Sequence, residues 1–239
     1  MSLETLQSKE QYKQARSEMT QLGIDCADKL SPIEKVQEYL GKLKWVKIGD
    51  VRKSWDTLKT IKFIQKEAAL DEPILDIGAF GSEILLILHR LNYQILSGVD
   101  LNPRIQQMPY SDKIHYTKAD FMHTPFGDSS FKVITAISVI EHGFNGKALL
   151  AEMSRLLKPG GYFIASFDFW PDKIDTSQKR VFGLDWRIFS KEEVCEFVEE
   201  ANLMGLKPHG HLNFEVSRPV IRWEGKSYTF GWLVLQKEG

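Results

Sequence analysis

The sequence predicts an α/β fold: a doubly wound, mostly parallel sheet of seven strands that ends in an antiparallel hairpin and is preceded by a helical cap. Three observations predict it. From Glu72 on, short apolar runs alternate with helical stretches, the pattern of a parallel sheet covered on both faces. The last two apolar runs follow one another with no room for a crossover helix, so they should pair antiparallel. Residues 1 to about 70 instead read as amphipathic and helical.

Taken in order, Ser31-Pro32 before "IEKVQEYLGKL" has the form of an N-cap with proline at the first helical position. In "SWDTLKTIKFIQKEAAL", Trp55, Leu58, Ile61 and Ile64 recur on one helical face. The runs "PILDIG", "QILSGVD", "KIHYTKAD", "FKVITAIS" and "GYFIASFDF" each fit a buried strand. "SEILLILHRL" and "GKALLAEMSRLL" fit helices between them, and "LLKPGGYF" reads as a helix end with a Pro-Gly-Gly turn. "SKEEVCEFVEEANLMG" opens on a capping box, and "LKPHGHLNFEV" and "KSYTFGWLVLQK" supply the closing hairpin. The division expected is a cap over residues 1–70 and a ligand-binding domain over 71–239.

Composition narrows the function. The 239 residues are 43% hydrophobic and 26% charged, as in a soluble globular protein. A formal net charge of -1 with no long basic run leaves out the electrostatic footprint of a nucleic-acid binder. Cys26 and Cys195 are isolated and match no metal spacing, which points to a reduced, cytoplasmic setting. No stretch is long enough to cross a bilayer. These features leave the oligomeric state open and name no function.

In an open α/β sheet, ligands bind beyond the carboxyl ends of the strands, where the strand order reverses. The first such end is Asp76-Ile77-Gly78, where Gly78 permits a tight turn and the next helix aims its N–H groups at a ligand. The second strand ends at Asp100, a carboxylate able to accept from two ribose hydroxyls. The third ends in Ala119-Asp120-Phe121, an acceptor beside an aromatic wall. A dinucleotide loop would need glycine where Phe80 and Glu83 stand, and both residues oppose a pyrophosphate. Asp76 opposes it too, but suits a ligand bearing an ammonium or sulfonium. Ribose, adenine and positive charge together describe S-adenosylmethionine.

The run of motifs resembles the class I S-adenosylmethionine-dependent methyltransferases, and most closely the small methyltransferases of the type-11 kind. The resemblance is carried by "ILDIGAFGSE", "GVDLNP", "KADFMHTPFGDSSFKVITAISVIEH" and "LLAEMSRLLKPGGYFIAS" and covers about Ser54 to Glu199. It implies a Rossmann-like methyltransferase fold. Of the three alternating glycines usual in the family's first motif only Gly78 is kept; Phe80 and Ser82 take the other places. The resemblance implies that Asp76, Gly78, Ala79, Phe80 and Ser82 contact the amino-acid end of the cofactor and that Asp100 binds its ribose. Leu101 would flank the adenine, Asp120 and Phe121 would bind its edge and face, and Ile137 and Ser138 would border the sulfonium.

Glu141-His142 follows the fourth strand. Some relatives with a further acidic residue three places before the glutamate bind a divalent metal there; here that place is Ser138, so no metal is expected. If the acceptor is a hydroxyl, His142 is the first candidate for its base and Asp168 the second. In "FDFWPDK", Asp168 and Trp170 alternate with Phe167 and Phe169, so one pair faces a pocket and the other the core. Trp186 and Arg187 suit a ring-shaped polar acceptor such as a sugar, and suit a core patch about as well. His209 and His211 read as facing solvent or the sheet surface. The function expected is methyl transfer to oxygen or nitrogen of a small molecule; an NAD-dependent oxidoreductase and a non-catalytic S-adenosylmethionine-binding module are the alternatives.

Overall fold

The computed structural model describes residues 1–28, Ile33, Val36, Leu40, 46–143, 145–181 and 183–239. Ser31-Pro32 and most of the helix expected after them lie outside the described residues. Every apolar run from Glu72 on contains a strand. These are β2 (Ile74–Ile77), β3 (Leu96–Asp100), β4 (His115–Lys118), β5 (Phe131–Ile137) and β6 (Leu157–Phe169), then β9 (Leu206–Pro208) and β11 (Lys226–Lys237). Helices α2 (Ser54–Glu67), α3 (Ile84–Arg90), α4 (Gly146–Leu156) and α5 (Lys191–Leu203) also stand where the periodicity puts them. The capping box of α5 is made: Ser190 N donates to Glu193 Oε2 at 2.8 Å and Glu193 N donates to Ser190 Oγ at 3.2 Å.

With β1 (Leu3–Thr5) at one edge, the sheet runs β1-β11-β6-β5-β2-β3-β4, and β9 and β10 (Ile221–Trp223) also pair with β11. Strands β2, β3, β4, β5 and β6 are mutually parallel, and β11 is antiparallel to β6 over eight residue pairs. β2 pairs with β3 on one side and β5 on the other, so the chain order reverses there and the loops after β2 and β5 diverge into a crevice. The core alternates with the strands. Leu58, Ile61 and Ile64 of α2 pack with Ile74, Val133 and Ile164 on one face. Leu149, Met153 and Phe197 of α4 and α5 pack with Leu75, Ile134 and Phe163 on the other.

Three details depart from the sequence reading. Residues Leu3–Thr5 are not helical but form β1, antiparallel to β11 at Leu233–Gly231. The helix that does lie in this region, α1 (Lys9–Gln21), follows it. The Pro-Gly-Gly segment is not a free turn, because β6 starts at Leu157 and absorbs it as an irregularity between the pairs Phe131–Leu157 and Val133–Tyr162. A Cβ on Gly161 would stand 2.8 Å from the carbonyl of Lys158 and 2.9 Å from that of Lys132, which is why glycine fits. Lastly, only three residues of "LKPHGHLNFEV" pair as a strand, and Gly210 turns the chain away at φ 121°. Among the described residues no helix is long and apolar enough to cross a membrane.

Candidate functional site

The crevice at the β2–β5 reversal opens into a cavity of about 480 Å³. Its near wall is the loop after β2. Gly78 has φ 68°, and a Cβ there would stand 2.3 Å from Val139 Cγ2, so only glycine lets the two loops approach. Phe80 N donates to Asp100 Oδ2 at 3.0 Å and Asn102 N to Asp100 Oδ1 at 2.8 Å, so the carboxylate closing β3 braces the loop closing β2. From the N-terminal part, Gly49 N donates to the Gly81 carbonyl at 2.8 Å. Arg16 of α1 meets Glu83 through both nitrogens, at 2.7 and 2.6 Å, and also reaches Asp25 at 2.7 Å.

On the α2 face, side chains near the carboxyl ends of the strands turn polar. Asp76 is buried; Thr135 Oγ1 donates to its Oδ1 at 2.6 Å, while its Oδ2 has no partner among the described residues. Burial pushes this carboxyl up to about 7; the Ser82 and Thr135 hydroxyls beside it hold the rise back, and the negative charge of Asp100 adds to it. On β6, Ser166 Oγ donates to Asp56 Oδ2 at 2.6 Å and Trp186 Nε1 donates to Asp168 Oδ2 at 2.8 Å. Burial raises Asp56 to about 6 and Asp168 to about 7; Glu141 adds to the rise at Asp168.

The far wall is the loop after β5. Ser138 sits in the left-handed region at φ 59°, and its hydroxyl donates to Glu141 Oε1 at 2.5 Å. Among the described residues no group of three or more metal-ligating side chains is present. Burial raises the Glu141 carboxyl and lowers His142, which therefore favours the neutral imidazole. Lys53, Tyr228 and Phe230 close the cavity opposite.

Of the residues singled out in the sequence, Gly78, Phe80, Ser82, Ile137, Ser138 and His142 line this one cavity. Ala79 is buried behind it, its N–H donating to Val99 O at 3.0 Å. Asp76, buried beneath Gly78, is not in its lining, and neither are Asp100, Leu101, Asp120 and Phe121, which lie toward the ends of β3 and β4. Leu101 is 52% exposed, Asp120 Oδ1 accepts from Met122 N at 2.9 Å, and Phe121 packs on the core. Asp168 lines the cavity while Phe167 and Phe169 fill the opposite core, as the alternation predicts; its expected companion Trp170 is not in the lining and packs on the cluster around Trp186. Trp186 is buried against Asp168, and Arg187 is half-exposed. His209 does not face open solvent; it stacks edge-on against Phe63 and Tyr162.

Sequence reading passed over Lys53, Asp56, Tyr228 and Phe230. Lys53 and Asp56 are single polar residues at a helix start and carry no pattern. Phe230 had a signal: it pairs with Asp168 across β6 and β11, so placing the hairpin beside β6 points it at the same cavity.

Residues 75–165 match a family profile described as a methyltransferase domain. This chain carries a class I S-adenosylmethionine-dependent methyltransferase domain of the type-11 family. The cycloartenol-C-24-methyltransferase of Arabidopsis thaliana is 31% identical over 44% of this chain and 30% of its own length. The 27-O-demethylrifamycin SV methyltransferase of Amycolatopsis mediterranei is 24% identical over 56% of this chain and 54% of its own. The chain thus spans between about a third and about half of these curated relatives. Among solved structures, the geranyl diphosphate C-methyltransferase of Streptomyces coelicolor superposes with a TM-score of 0.56 over 77% of this chain and 81% of that one, at 15% identity. That likeness is one of fold.

Proposed function

We propose that the protein transfers a methyl group from S-adenosylmethionine to oxygen or nitrogen of a small-molecule acceptor. The observation that carries this reading is Asp76. A buried carboxylate oxygen without a hydrogen-bond partner among the described residues, at the strand tip beneath Gly78, suits a ligand bearing an ammonium, and the amino-acid end of S-adenosylmethionine carries one. Asp76, Gly78 and the Ala79–Ser82 loop are assigned to that end, Asp100 to the ribose, Leu101, Asp120 and Phe121 to the adenine, and Ile137 and Ser138 to the region of the sulfonium. When bound, the cofactor supplies a methyl group activated by positive charge on sulfur.

The chain's own part is positional. It holds the acceptor atom in line, keeps water out and takes up a proton where the acceptor must lose one. His142 and Asp168 both border the cavity and are the candidate bases. Residues 1–70 act as a cap: Asp50, Arg52 and Lys53 line the cavity, and Arg16 and Gly49 grip the loop after β2. Calorimetry with S-adenosylhomocysteine tests the reading. Saturable binding is expected, and a protein that binds neither this product nor S-adenosylmethionine does not have the proposed activity.

A further inference from the structure

Lys53 ends the short 3-10 turn Val51–Lys53 ahead of α2, and its side chain is only 16% exposed. Its ammonium lies 3.3 Å above the centre of the Phe230 ring and 3.8 Å from Asp168 Oδ1, beyond hydrogen-bond reach. It makes no hydrogen bond among the described residues. A lysine that served only to neutralise Asp168 would close that gap, whereas the other oxygen of Asp168 is already bonded to Trp186 and the Tyr228 hydroxyl faces the same carboxylate. On the same cavity stands Glu141, 1% exposed, with Oε1 held by Ser138 and Oε2 without a hydrogen-bond partner among the described residues. The cavity therefore presents a buried donor lacking an acceptor and a buried acceptor lacking a donor. Each is expensive to leave unmade.

Resting on the methyltransferase reading, we infer that the acceptor group is an ionisable hydroxyl, a phenol or an enol, with Lys53 stabilising its developing oxyanion and the Glu141–Asp168 carboxylates receiving its proton. A hydroxyl satisfies both vacancies at once, its O–H donating to a carboxylate and its oxygen accepting from Lys53. A protonated amine would satisfy the carboxylates but would place a second ammonium against the first. In the transfer, the acceptor oxygen bonds to the methyl carbon as the carbon–sulfur bond breaks and its electron pair returns to sulfur. The O–H proton passes to the carboxylate. One sulfonium charge and one carboxylate charge disappear together, and no further reactant is needed.

The test uses the full chain loaded with S-adenosylhomocysteine and p-nitrophenol as the probe, because its phenolate is yellow and the cavity is much larger than the probe. Saturable binding is expected, with a larger phenolate fraction in the bound probe than in free solution at the same pH. Lys53→Met should weaken binding of the phenolate by about tenfold or more, the scale of one hydrogen bond to a charged group, and Lys53→Arg should restore part of it. The inference is overturned if the probe does not bind, if it binds equally to wild type and Lys53→Met, or if 4-nitrobenzylamine binds more tightly than p-nitrophenol. Affinity for S-adenosylhomocysteine, measured first on each variant, reports folding and the cofactor site separately. Its absence in the wild type would remove the methyltransferase reading instead.

Discussion

Arg16 and Glu83 stand 67 positions apart, yet the guanidinium of one meets the carboxylate of the other through two hydrogen bonds. Their side chains are 11% and 2% exposed. Arg16 Nε also donates to Ser54 Oγ at 2.9 Å, so one side chain ties α1 to the start of α2 and to the loop after β2.

Removing one member of this pair should cost far more than removing both. Arg16→Met leaves Glu83 buried and unpaired, a loss of about 3–5 kcal/mol for a buried pair. The double variant Arg16→Met with Glu83→Leu should recover most of it. Urea unfolding of the two single variants and the double variant measures the difference; strictly additive losses would show that the pair does not act as a unit.

Asp100 braces Phe80 N and Asn102 N, and the proposed function assigns it to the ribose as well. Asp100→Ala should weaken S-adenosylhomocysteine binding by at least tenfold, since hydrogen bonds to a charged acceptor are worth about 1.5–3 kcal/mol each. Unchanged affinity by calorimetry would remove Asp100 from the ribose site.

Stability should fall as pH rises from about 4 to about 7. Asp76 and Asp168, both raised to about 7, and Asp56, raised to about 6, keep their protons in the folded chain over a range where the unfolded chain has lost them. The rise of Asp76 from 3.8 to about 7 corresponds to about 4 kcal/mol, fully expressed above pH 7. His142, lowered by burial, acts the other way below its ordinary range, and carboxylates held low, such as Asp25 beside Arg16, act only in more acid solution. Asp76→Asn isolates the first contribution: the variant should be more stable than wild type at pH 8 and show a shallower decline between pH 5 and 8. A parallel decline in the two proteins would mean that Asp76 is ionised throughout.

The two candidate bases separate by substitution once an acceptor is in hand. His142→Gln should leave S-adenosylhomocysteine affinity intact and lower turnover by less than about tenfold. Asp168→Asn should lower it by roughly 10²-fold or more, the usual share of a general base. The reverse order would return the role to the imidazole.

What the sequence made legible follows from how far each feature spreads along the chain. β11 is twelve residues of unbroken strand pattern, and its span coincides with "KSYTFGWLVLQK". Gly78 is legible because a strand tip followed by a tight turn fixes where the chain bends into the crevice. β1 and β10 have three residues each, too few for a period to show. Arg16, Lys53 and Asp56 look like ordinary polar residues of amphipathic helices until α1 and α2 are docked. Only tertiary packing, which no local pattern encodes, turns them inward.

The placement of β11 bears on how the chain is made. Its one edge zips along β6, and its other is flanked in succession by β10, by residues 3–5 and by β9. All of these neighbours leave the ribosome before β11 does. Until β11 is translated β6 therefore waits with a bare edge of Phe, Ile and Ala, and residues 3–5 wait for a partner made after all the other strands. A nascent chain stalled before Lys226 would present that edge to its neighbours on the same message, the circumstance in which strands join between molecules instead of within one.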